Sequence, residues 1–160
     1  MSDVTIRRMK SDEATTTALL LREVVAGLPY YNERAKSEEL AKYGPEALAR
    51  DVEADPDAVL VAVLDEQVVG FCINRYDDGL LWLSWFGVRP DARERGVGAA
   101  LLAAFAATAS RRRAHKLWCD TRTDNVRSQS VLSKAGFRKI CTLSNHWYGQ
   151  DFILWESPLE

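Results

Sequence analysis

A short segment with two glycines and two arginines is the part of this sequence best suited to binding an anion. It spans residues 93–98 with the sequence RERGVG and lies between a predicted strand and a predicted helix. The first turn of a helix leaves backbone N–H groups without partners, and the helix dipole adds partial positive charge there. Gly96 and Gly98 allow a phosphate to approach the backbone, while Arg93 and Arg95 add charge-assisted donors. The segment therefore predicts phosphate binding at a helix N-terminus.

Two common nucleotide-binding motifs do not fit this segment. The dinucleotide pattern G-x-G-x-x-G fails because Leu101 stands at its last position, and no G-K-[ST] is present for a P-loop. Glycines also end strands for local reasons, so this pair alone leaves a purely structural role open.

The predicted elements place this segment between the middle of a sheet and a helix. Hairpin-linked strands are predicted over residues 58–64, 67–76 and 80–88, and Pro90 ends the last one because it has no N–H group. The alanine- and leucine-rich stretch 99–110 predicts a helix, and a further strand follows over residues 116–121. Such a strand–helix–strand unit normally makes two parallel neighbours.

The flanking elements complete an α/β (α+β) fold. We expect a mixed, mostly antiparallel sheet of about six to seven strands flanked by helices. The flanking elements are an edge strand over residues 4–9, a helix from Asp12 to about Gly27, helices and loops over residues 30–55, a helix over residues 125–135 closed by Gly136, and strands over residues 137–143 and 152–156. Arg111–Arg113 is expected to be a solvated helix end, with an anion-binding patch as the alternative.

Composition restricts the partners. The chain has 160 residues, which suits a single domain over 1–160, and its net charge of -2 gives no case for nucleic acid or an anionic membrane. The longest apolar run, residues 99–107, is shorter than the about 18 residues that span a bilayer. The three cysteines lack metal-ligand spacing, so we expect no metal and a reduced, cytoplasmic setting. Cys119 is a buried strand residue in one interpretation and a nucleophile in the other.

The anion-binding segment resembles the acetyl-CoA loop of the GNAT superfamily of N-acetyltransferases. That loop has Gln or Arg, two variable residues, Gly, one variable residue, and Gly or Ala. Arg93, Gly96 and Gly98 match every fixed position, and the hydrophobic-x-Pro that usually precedes the loop is present at residues 88–90.

A second family block follows at the expected place. In the family it is an Asn, a small residue three positions later, and Gly-Phe about twelve positions on. Asn125, Ser128 and residues 136–137 match it. One predicted helix and one predicted strand separate the two blocks, as in the family.

The resemblance implies that acetyl-CoA is the cosubstrate and that no metal takes part. In GNAT proteins the strand before the loop bulges and splays from the next parallel strand, and the pantetheine arm pairs with its backbone. Gly87 suits the bulge, and an N–H group near Phe86 would polarise the thioester carbonyl. The cofactor-binding residues implied by the resemblance are Phe86, Gly87, Val88, Arg93, Arg95, Gly96, Val97, Gly98, Ala99, Asn125 and Ser128.

A base is expected, because an alkyl ammonium with a pKa of about 10.4 must lose a proton before its nitrogen can attack. The glutamate that some GNAT enzymes carry on the strand before the loop is absent from residues 81–85. Asp120 stands five residues before Asn125, where protein N-terminal acetyltransferases of the family place a glutamate, so it is the expected base. The alternative is an aspartate at a strand end that pairs with Arg122 or caps a turn.

The acid that protonates the leaving thiolate is less clearly specified. Many members carry a tyrosine seven residues after the Asn, but Leu132 stands there, as in the ribosomal-protein acetyltransferase branch. Tyr148 and His146 are the expected substitutes. Their alternatives are an amphipathic residue at a loop–strand junction and an exposed loop histidine. Asp124 is expected to cap the following helix.

The acceptor pocket of the family is usually built from the first helices, the middle strands and the last hairpin. Aromatic rings beside carboxylates in those segments suit a cationic amine. The alternative is that most of these rings belong to the core. The candidate substrate residues are Tyr30, Tyr31, Glu33, Trp82, Trp85 and Trp147.

The sequence thus predicts an N-acetyltransferase that acts on a small-molecule amine or a protein N-terminus by direct attack. The main alternative is a catalytically weak acyl-CoA-binding sensor or regulatory module, and a plain interaction domain is the third. Because dimers are common in the family, a homodimer is one expected assembly.

Overall fold

One β-sheet forms the centre of the fold. The computed structural model describes residues 3–159, and within them a seven-stranded sheet has the order β1-β2-β3-β4-β5-β7-β6. Neighbouring strands are antiparallel except for β4 and β5, which are parallel. This confirms the predicted mixed, mostly antiparallel sheet. The strands are β1 (Thr5–Arg8), β2 (Val59–Leu64), β3 (Gln67–Asp77), β4 (Leu80–Val88), β5 (Lys116–Arg122), β6 (Arg138–Leu143) and β7 (Phe152–Pro158).

The α-helices of the described residues are α1 (Ala14–Ala26), α2 (Glu33–Lys42), α3 (Pro45–Ala54), α4 (Val97–Ala107) and α5 (Val126–Lys134). Short 3₁₀ turns occupy Ser11–Glu13, Pro90–Ala92 and Trp147–Gly149. Asn32 caps α2 by accepting a hydrogen bond of 2.8 Å from the N–H of Ala35.

The predicted bounds of α4, residues 99–110, are wrong at both ends. Gly96 adopts a left-handed conformation with φ +76° and serves as the N-cap, so the helix begins at Val97. After Ala107 the chain continues in turns rather than in α-helix. Gly98 therefore lies inside the first helical turn, where a backbone N–H group has no helical partner.

The helices cover both faces of the sheet, and β4 contributes to both. Leu81 and Leu83 pack into the cluster that contains Phe105 of α4. Trp85 packs against the cluster on the other face, which contains Leu21 of α1. The strand thus links the α4 side of the sheet to the α1–α3 side.

A bulge in β4 lies at Ser84. Ile73 of β3 pairs with Trp85 and Asn74 pairs with Leu83, so Ser84 is the extra residue. The expectation of a bulge at Gly87 is therefore wrong. Gly87 is required for a different reason: a Cβ there would lie 2.8 Å from the Phe71 ring.

The two parallel strands separate beyond the bulge. Their pairing runs from Leu80 with Lys116 to Leu83 with Cys119 and then stops, whereas β5 stays paired with β7 to Arg122. This confirms the splayed parallel pair. The gap between the ends of β4 and β5 opens next to the N-terminus of α4. Across residues 3–159, no helix combines the length and apolar character needed to cross a bilayer.

Candidate active site

A cavity of about 1480 Å³ fills the gap between the splayed strands. Ligand cavities for one drug-sized molecule are roughly 300–1,000 Å³, so this one has room for a large ligand and a second, smaller one. Its walls come from β4, β5, α4, α5, the α1–α2 segment and the β6–β7 loop.

One end of the cavity is formed by the first turn of α4. Gly96, Val97, Gly98 and Ala99 all line it. The first backbone bond of the helix is from Ala100 N–H to the Gly96 carbonyl, at 3.0 Å. Within residues 3–159 the N–H groups of Val97, Gly98 and Ala99 have no acceptor. The space around Gly96 is open, because a Cβ there would meet no atom within 4 Å. This arrangement fits an anionic group.

The two arginines of the loop differ in position. Arg93 lines the cavity, and its Nε donates a hydrogen bond of 3.1 Å to the carbonyl of Val88. Arg95 is exposed and is not part of the cavity lining. Two arginine donors were expected at the cavity, but only Arg93 of the two lines it.

Two further cations at this end were missed in the sequence. Arg127 and Lys134 both line the cavity from α5. They are seven residues apart and therefore share a helix face. In the part of the chain that the structure describes, neither forms a salt bridge. Their spacing in the sequence predicts that they share a helix face. It identifies them as cavity residues only once α5 is known to face the cavity.

The second family block also lies at the cavity. Asn125 and Ser128 both line it, and Asn125 Oδ1 accepts a hydrogen bond of 3.1 Å from the N–H of Ser128. Asn125 is therefore the N-cap of α5, and the expectation that Asp124 caps it is wrong. The Asp124 carboxylate instead lies 3.8 Å from the Arg122 guanidinium.

Asp120 also lines the cavity. Its Oδ2 accepts a hydrogen bond of 2.7 Å from Trp147 Nε1. Burial raises the pKa of Asp120 to about 6, against the lowering effects of the Trp147 hydrogen bond and the His146 charge, and the nearby Glu39 raises it further. The alternative of a pair with Arg122 is not observed. A half-buried carboxylate with a raised pKa has the properties of a general base.

Arg122 instead connects three backbone segments next to Asp120. It is buried, its Nε donates a 2.9 Å hydrogen bond to the carbonyl of Tyr30, and a terminal N–H donates to the carbonyl of Asp151. These bonds join β5 to the α1–α2 segment and to the β6–β7 loop. They fix the two loops that enclose Asp120.

Glu39 of α2 is a cavity residue that the sequence did not reveal. Its Oε1 accepts hydrogen bonds from Tyr148 Oη at 2.9 Å and Lys42 Nζ at 3.3 Å, and its Oε2 accepts one from Trp85 Nε1 at 3.2 Å. Burial is the main cause of a raised pKa of Tyr148. Tyr148 and Trp85 come from distant parts of the chain, so local sequence gave no sign that Glu39 faces the cavity.

Most of the predicted acceptor-pocket residues lie together. Tyr30, Tyr31, Trp82, Trp85 and Trp147 line the cavity. The Tyr31 ring lies 5.4 Å from the ring of Trp85 and 5.4 Å from that of Tyr30. Burial raises the pKa of Tyr31, so its phenol stays protonated. These five residues are half-buried or exposed, and Trp85 also packs against the core cluster that contains Leu21.

Two predicted residues lie elsewhere. The Glu33 side chain is 95% exposed and does not line the cavity. His146 is exposed, also outside the lining, and its ring packs edge-on against Trp147 at 4.5 Å. Glu33 begins α2 on its solvent side, whereas the cavity side carries Glu39.

The cysteine and the missing tyrosine also have defined positions. Cys119 is 2% exposed, and burial raises its pKa well above the ordinary value, so it suits a core residue rather than a thiolate nucleophile. Leu132, which replaces the family tyrosine, is fully buried in the core. Among residues 3–159, no three His, Cys, Asp or Glu side chains are grouped to hold a metal ion.

The sequence model described as "Acetyltransferase (GNAT) family" matches residues 26–137, more than half of the chain. The chain therefore belongs to the GNAT family of acetyltransferases, as the two motifs predicted.

Solved structures share the whole fold. The PaiA N-acetyltransferase of Thermoplasma acidophilum, in complex with coenzyme A, has a TM-score of 0.81 at 20% identity and covers 98% of this chain and 99% of its own. YncA of Salmonella typhimurium, solved with acetyl-CoA, has 0.77 at 20%, over 98% and 94%. A ribosomal-protein-alanine N-acetyltransferase of Brucella melitensis has 0.73 at 22%, over 97% and 99%. Among curated protein sequences, none matches this chain.

These comparisons confirm the predicted fold and family. They also confirm acetyl-CoA as the cosubstrate at the level of the family, since relatives of this fold hold coenzyme A or acetyl-CoA.

Proposed function

We propose that this protein transfers the acetyl group of acetyl-CoA to a primary amine, on a small molecule or at a protein N-terminus. The observation that carries the proposal is the lining of one cavity, which combines the unpartnered N–H groups of α4 with Asp120 and several aromatic rings. Membership of the GNAT family supports acetyl transfer.

The residues at the α4 end fit the cofactor. The N–H groups of Val97, Gly98 and Ala99, with Arg93, would hold the pyrophosphate, and Asn125 and Ser128 would hold the adjoining part. The segment Phe86–Val88 would contact the pantetheine arm. Bound there, acetyl-CoA would supply an acetyl thioester whose C–S bond breaks as the amine nitrogen forms the new C–N bond.

Asp120 is the base in this proposal. Its pKa of about 6 leaves it ionised at neutral pH and able to take the proton that the amine must lose. The rings of Tyr31, Trp82 and Trp85 line the same cavity. Aromatic rings attract an ammonium group, which favours capture of a cationic amine next to the base.

Tyr148 is the proposed proton donor to the leaving thiolate. It lines the cavity, whereas His146 does not, so the structure favours the tyrosine of the two candidates. Its hydroxyl donates to Glu39 and accepts from Lys42, which would allow replacement of a lost proton from Lys42.

One observation favours a second candidate function. Leu132 fills the family tyrosine position and is fully buried, so that position supplies no acid. A protein that binds acyl-CoA without efficient turnover would act as a sensor or regulatory module.

Thiol release from acetyl-CoA across a panel of amines, amino acids, polyamines and short peptides tests the proposal. We expect at least one acceptor to give release, with kcat/KM falling as the pH drops through about 6 because Asp120 gains a proton. Asp120→Asn should lower kcat by about 10²-fold or more while changing the Kd of acetyl-CoA little.

The two functions give opposite results in this assay. Tight acetyl-CoA binding by calorimetry with no release for any acceptor would favour the sensor. An Asp120→Asn variant that keeps full turnover between pH 6 and 9 would remove Asp120 from the reaction.

A further inference from the structure

Trp147 holds one of the two carboxylate oxygens of Asp120. Its indole Nε1 donates to Oδ2 at 2.7 Å, a short distance for an N–H donor and a carboxylate acceptor. Within residues 3–159, Oδ1 has no hydrogen-bond donor. The two oxygens of Asp120 are therefore distinguished: one is occupied by the indole, and the other stays open in the cavity wall.

The backbone around Trp147 is fixed by its own hydrogen bonds. The N–H of His146 donates to the Gln150 carbonyl at 2.8 Å, and the N–H of Gln150 donates to the Trp147 carbonyl at 3.0 Å. Asn145 N–H donates to the Asp151 carboxylate at 2.8 Å. This turn holds the indole against Asp120 although Trp147 is 50% exposed.

The turn is also attached to the opposite wall of the cavity. Asn32 Nδ2 donates to the Tyr148 carbonyl at 3.1 Å, and Gln150 Nε2 donates to the Tyr30 carbonyl at 3.1 Å. The α1–α2 segment thus keeps the turn in place over Asp120. A ring held from both sides can set the direction of a carboxylate more precisely than a free surface side chain.

Several charged and titratable groups surround Asp120. His146 lies on the same turn as Trp147, Glu39 approaches from α2, Tyr31 lies on the α1–α2 segment, and Cys119 is its neighbour on β5. Of these groups, Glu39 opposes ionisation of Asp120 and a protonated His146 favours it. Trp147 is the neutral donor in direct contact with the carboxylate.

We propose that Trp147 is a positioning residue that fixes Oδ2 of Asp120 and leaves Oδ1 as the oxygen that accepts the amine proton. This inference rests on the proposed function for the identity of the amine, but the hydrogen bond itself can be tested without an acceptor. A donor to a carboxylate stabilises the ionised form, so its removal raises the pKa of that carboxyl.

The test is a ¹³C NMR titration of the Asp120 carboxyl in the protein without cofactor, with the resonance assigned by its loss in Asp120→Asn. In Trp147→Phe the midpoint should rise by about one pH unit, because a hydrogen bond to a charged group is lost. Trp82→Phe is the matched control: it removes an indole from the same cavity wall without touching Asp120, and its midpoint should stay at the wild-type value.

A structural effect of the substitution can be separated from the positioning effect. Trp147→Leu should raise the midpoint in the same direction as Trp147→Phe, and both variants should keep the wild-type far-UV circular dichroism. A Trp147→Phe midpoint equal to that of the wild type would overturn the inference.

Kinetics then distinguish failure of this inference from failure of the proposed function. With the best amine of the panel, the acid limb of kcat/KM should move to higher pH in Trp147→Phe, whereas a uniform loss at every pH would contradict a positioning role. A raised NMR midpoint in Trp147→Phe, combined with a wild-type kcat/KM profile that has no acid limb from Asp120, would support the Trp147–Asp120 hydrogen bond. The same result would refute Asp120 as the base.

Discussion

Gly96 and Gly98 do different things in one loop. Gly96 has a φ of +76°, a backbone conformation that residues with a side chain rarely adopt. The glycine therefore allows the chain to turn into α4. Gly98 has an ordinary helical position, and a Cβ there would lie 3.8 Å from Val131 and 3.9 Å from Phe86, which is normal contact. Gly98 is therefore the better position for testing the site, because a side chain can be added without backbone strain.

Gly98→Glu should abolish acetyl-CoA binding with little loss of stability, because it places a carboxylate where the pyrophosphate is expected. Gly98→Ala is the control. It adds a methyl group in normal contact and should raise the free energy of unfolding by about 0.5–1 kcal/mol through helix propensity. Calorimetric titration and urea unfolding measure both quantities, and an unchanged Kd for Gly98→Glu would place the phosphates elsewhere.

At the scale of elements, strand β4 meets helix α1 through a glycine. A Cβ at Gly87 would lie 2.8 Å from Phe71 Cζ and 3.1 Å from Val24. Both neighbours belong to the core cluster on the α1–α3 face. The ring of Phe71 and the position of α1 therefore depend on the missing side chain.

Gly87→Ala should lower the free energy of unfolding by about 1–3 kcal/mol, because it overpacks a filled core. Gly27→Ala is the matched control, since a Cβ at Gly27 has its nearest neighbour at 3.6 Å and needs no shift. Urea unfolding of the two variants gives the comparison. An equal free energy of unfolding for Gly87→Ala and Gly27→Ala would mean that β4 and α1 move apart at little energetic cost to accommodate the added methyl group.

At the scale of the whole molecule, a buried carboxylate ties together segments that are far apart in sequence. Asp57 is 3% exposed and accepts hydrogen bonds from Arg8 of β1 at 2.9 Å and from Arg111 after α4 at 2.6 Å. Arg112 is also buried and pairs with Asp55 at 2.7 Å. The expectation of a solvated helix end at Arg111–Arg113 is therefore wrong for Arg112, whereas Arg111 pairs with Asp57 but stays exposed.

Asp57→Asn should lower the free energy of unfolding at pH 7 by about 2 kcal/mol, because it weakens the charge-assisted hydrogen bonds from two half-exposed arginines to a buried side chain. The arginines hold the pKa of Asp57 well below its usual range. The stabilisation is therefore complete above the unfolded pKa of about 3.9 and declines as pH falls below it toward the folded pKa.

Thermal unfolding across pH 2–7 measures this effect, and the difference between the variant and the wild type should narrow in acid. Asp91→Asn is the control, because its pair with Arg89 is on the surface and its loss should change stability little. A difference that stays constant down to the lowest pH would contradict the assignment.

The molecule has a net charge of -2, but the cations Arg93, Arg127 and Lys134 line the cavity in which we propose that the cofactor binds. Acetyl-CoA affinity should therefore fall as salt is added, because screening weakens attraction to the phosphates. Lys134→Met should weaken binding about threefold to fivefold at low salt and reduce the salt dependence. Lys139→Met, on β6 and outside the cavity, should bind as the wild type does. Calorimetry at several salt concentrations provides the test.

The sequence by itself determined the family, the order of most elements and the loop that we propose as the cofactor site. Those features depend on residues close together in the chain: Gly96 and Gly98 shape one turn, and hairpins join β2, β3 and β4. Local steric and hydrogen-bonding rules are sufficient for such features.

Only the tertiary structure decided which side chains share the cavity. Glu39 was missed and Glu33 was misplaced because the packing of α2 on the sheet sets which face is inside. Trp147 reaches Asp120 across 27 residues, and Tyr148 reaches Glu39 across 109. The bulge was predicted at Gly87 but lies at Ser84, because the partner strand and not the glycine sets the strand register. Contacts of this kind depend on long-range packing, which no short sequence pattern encodes.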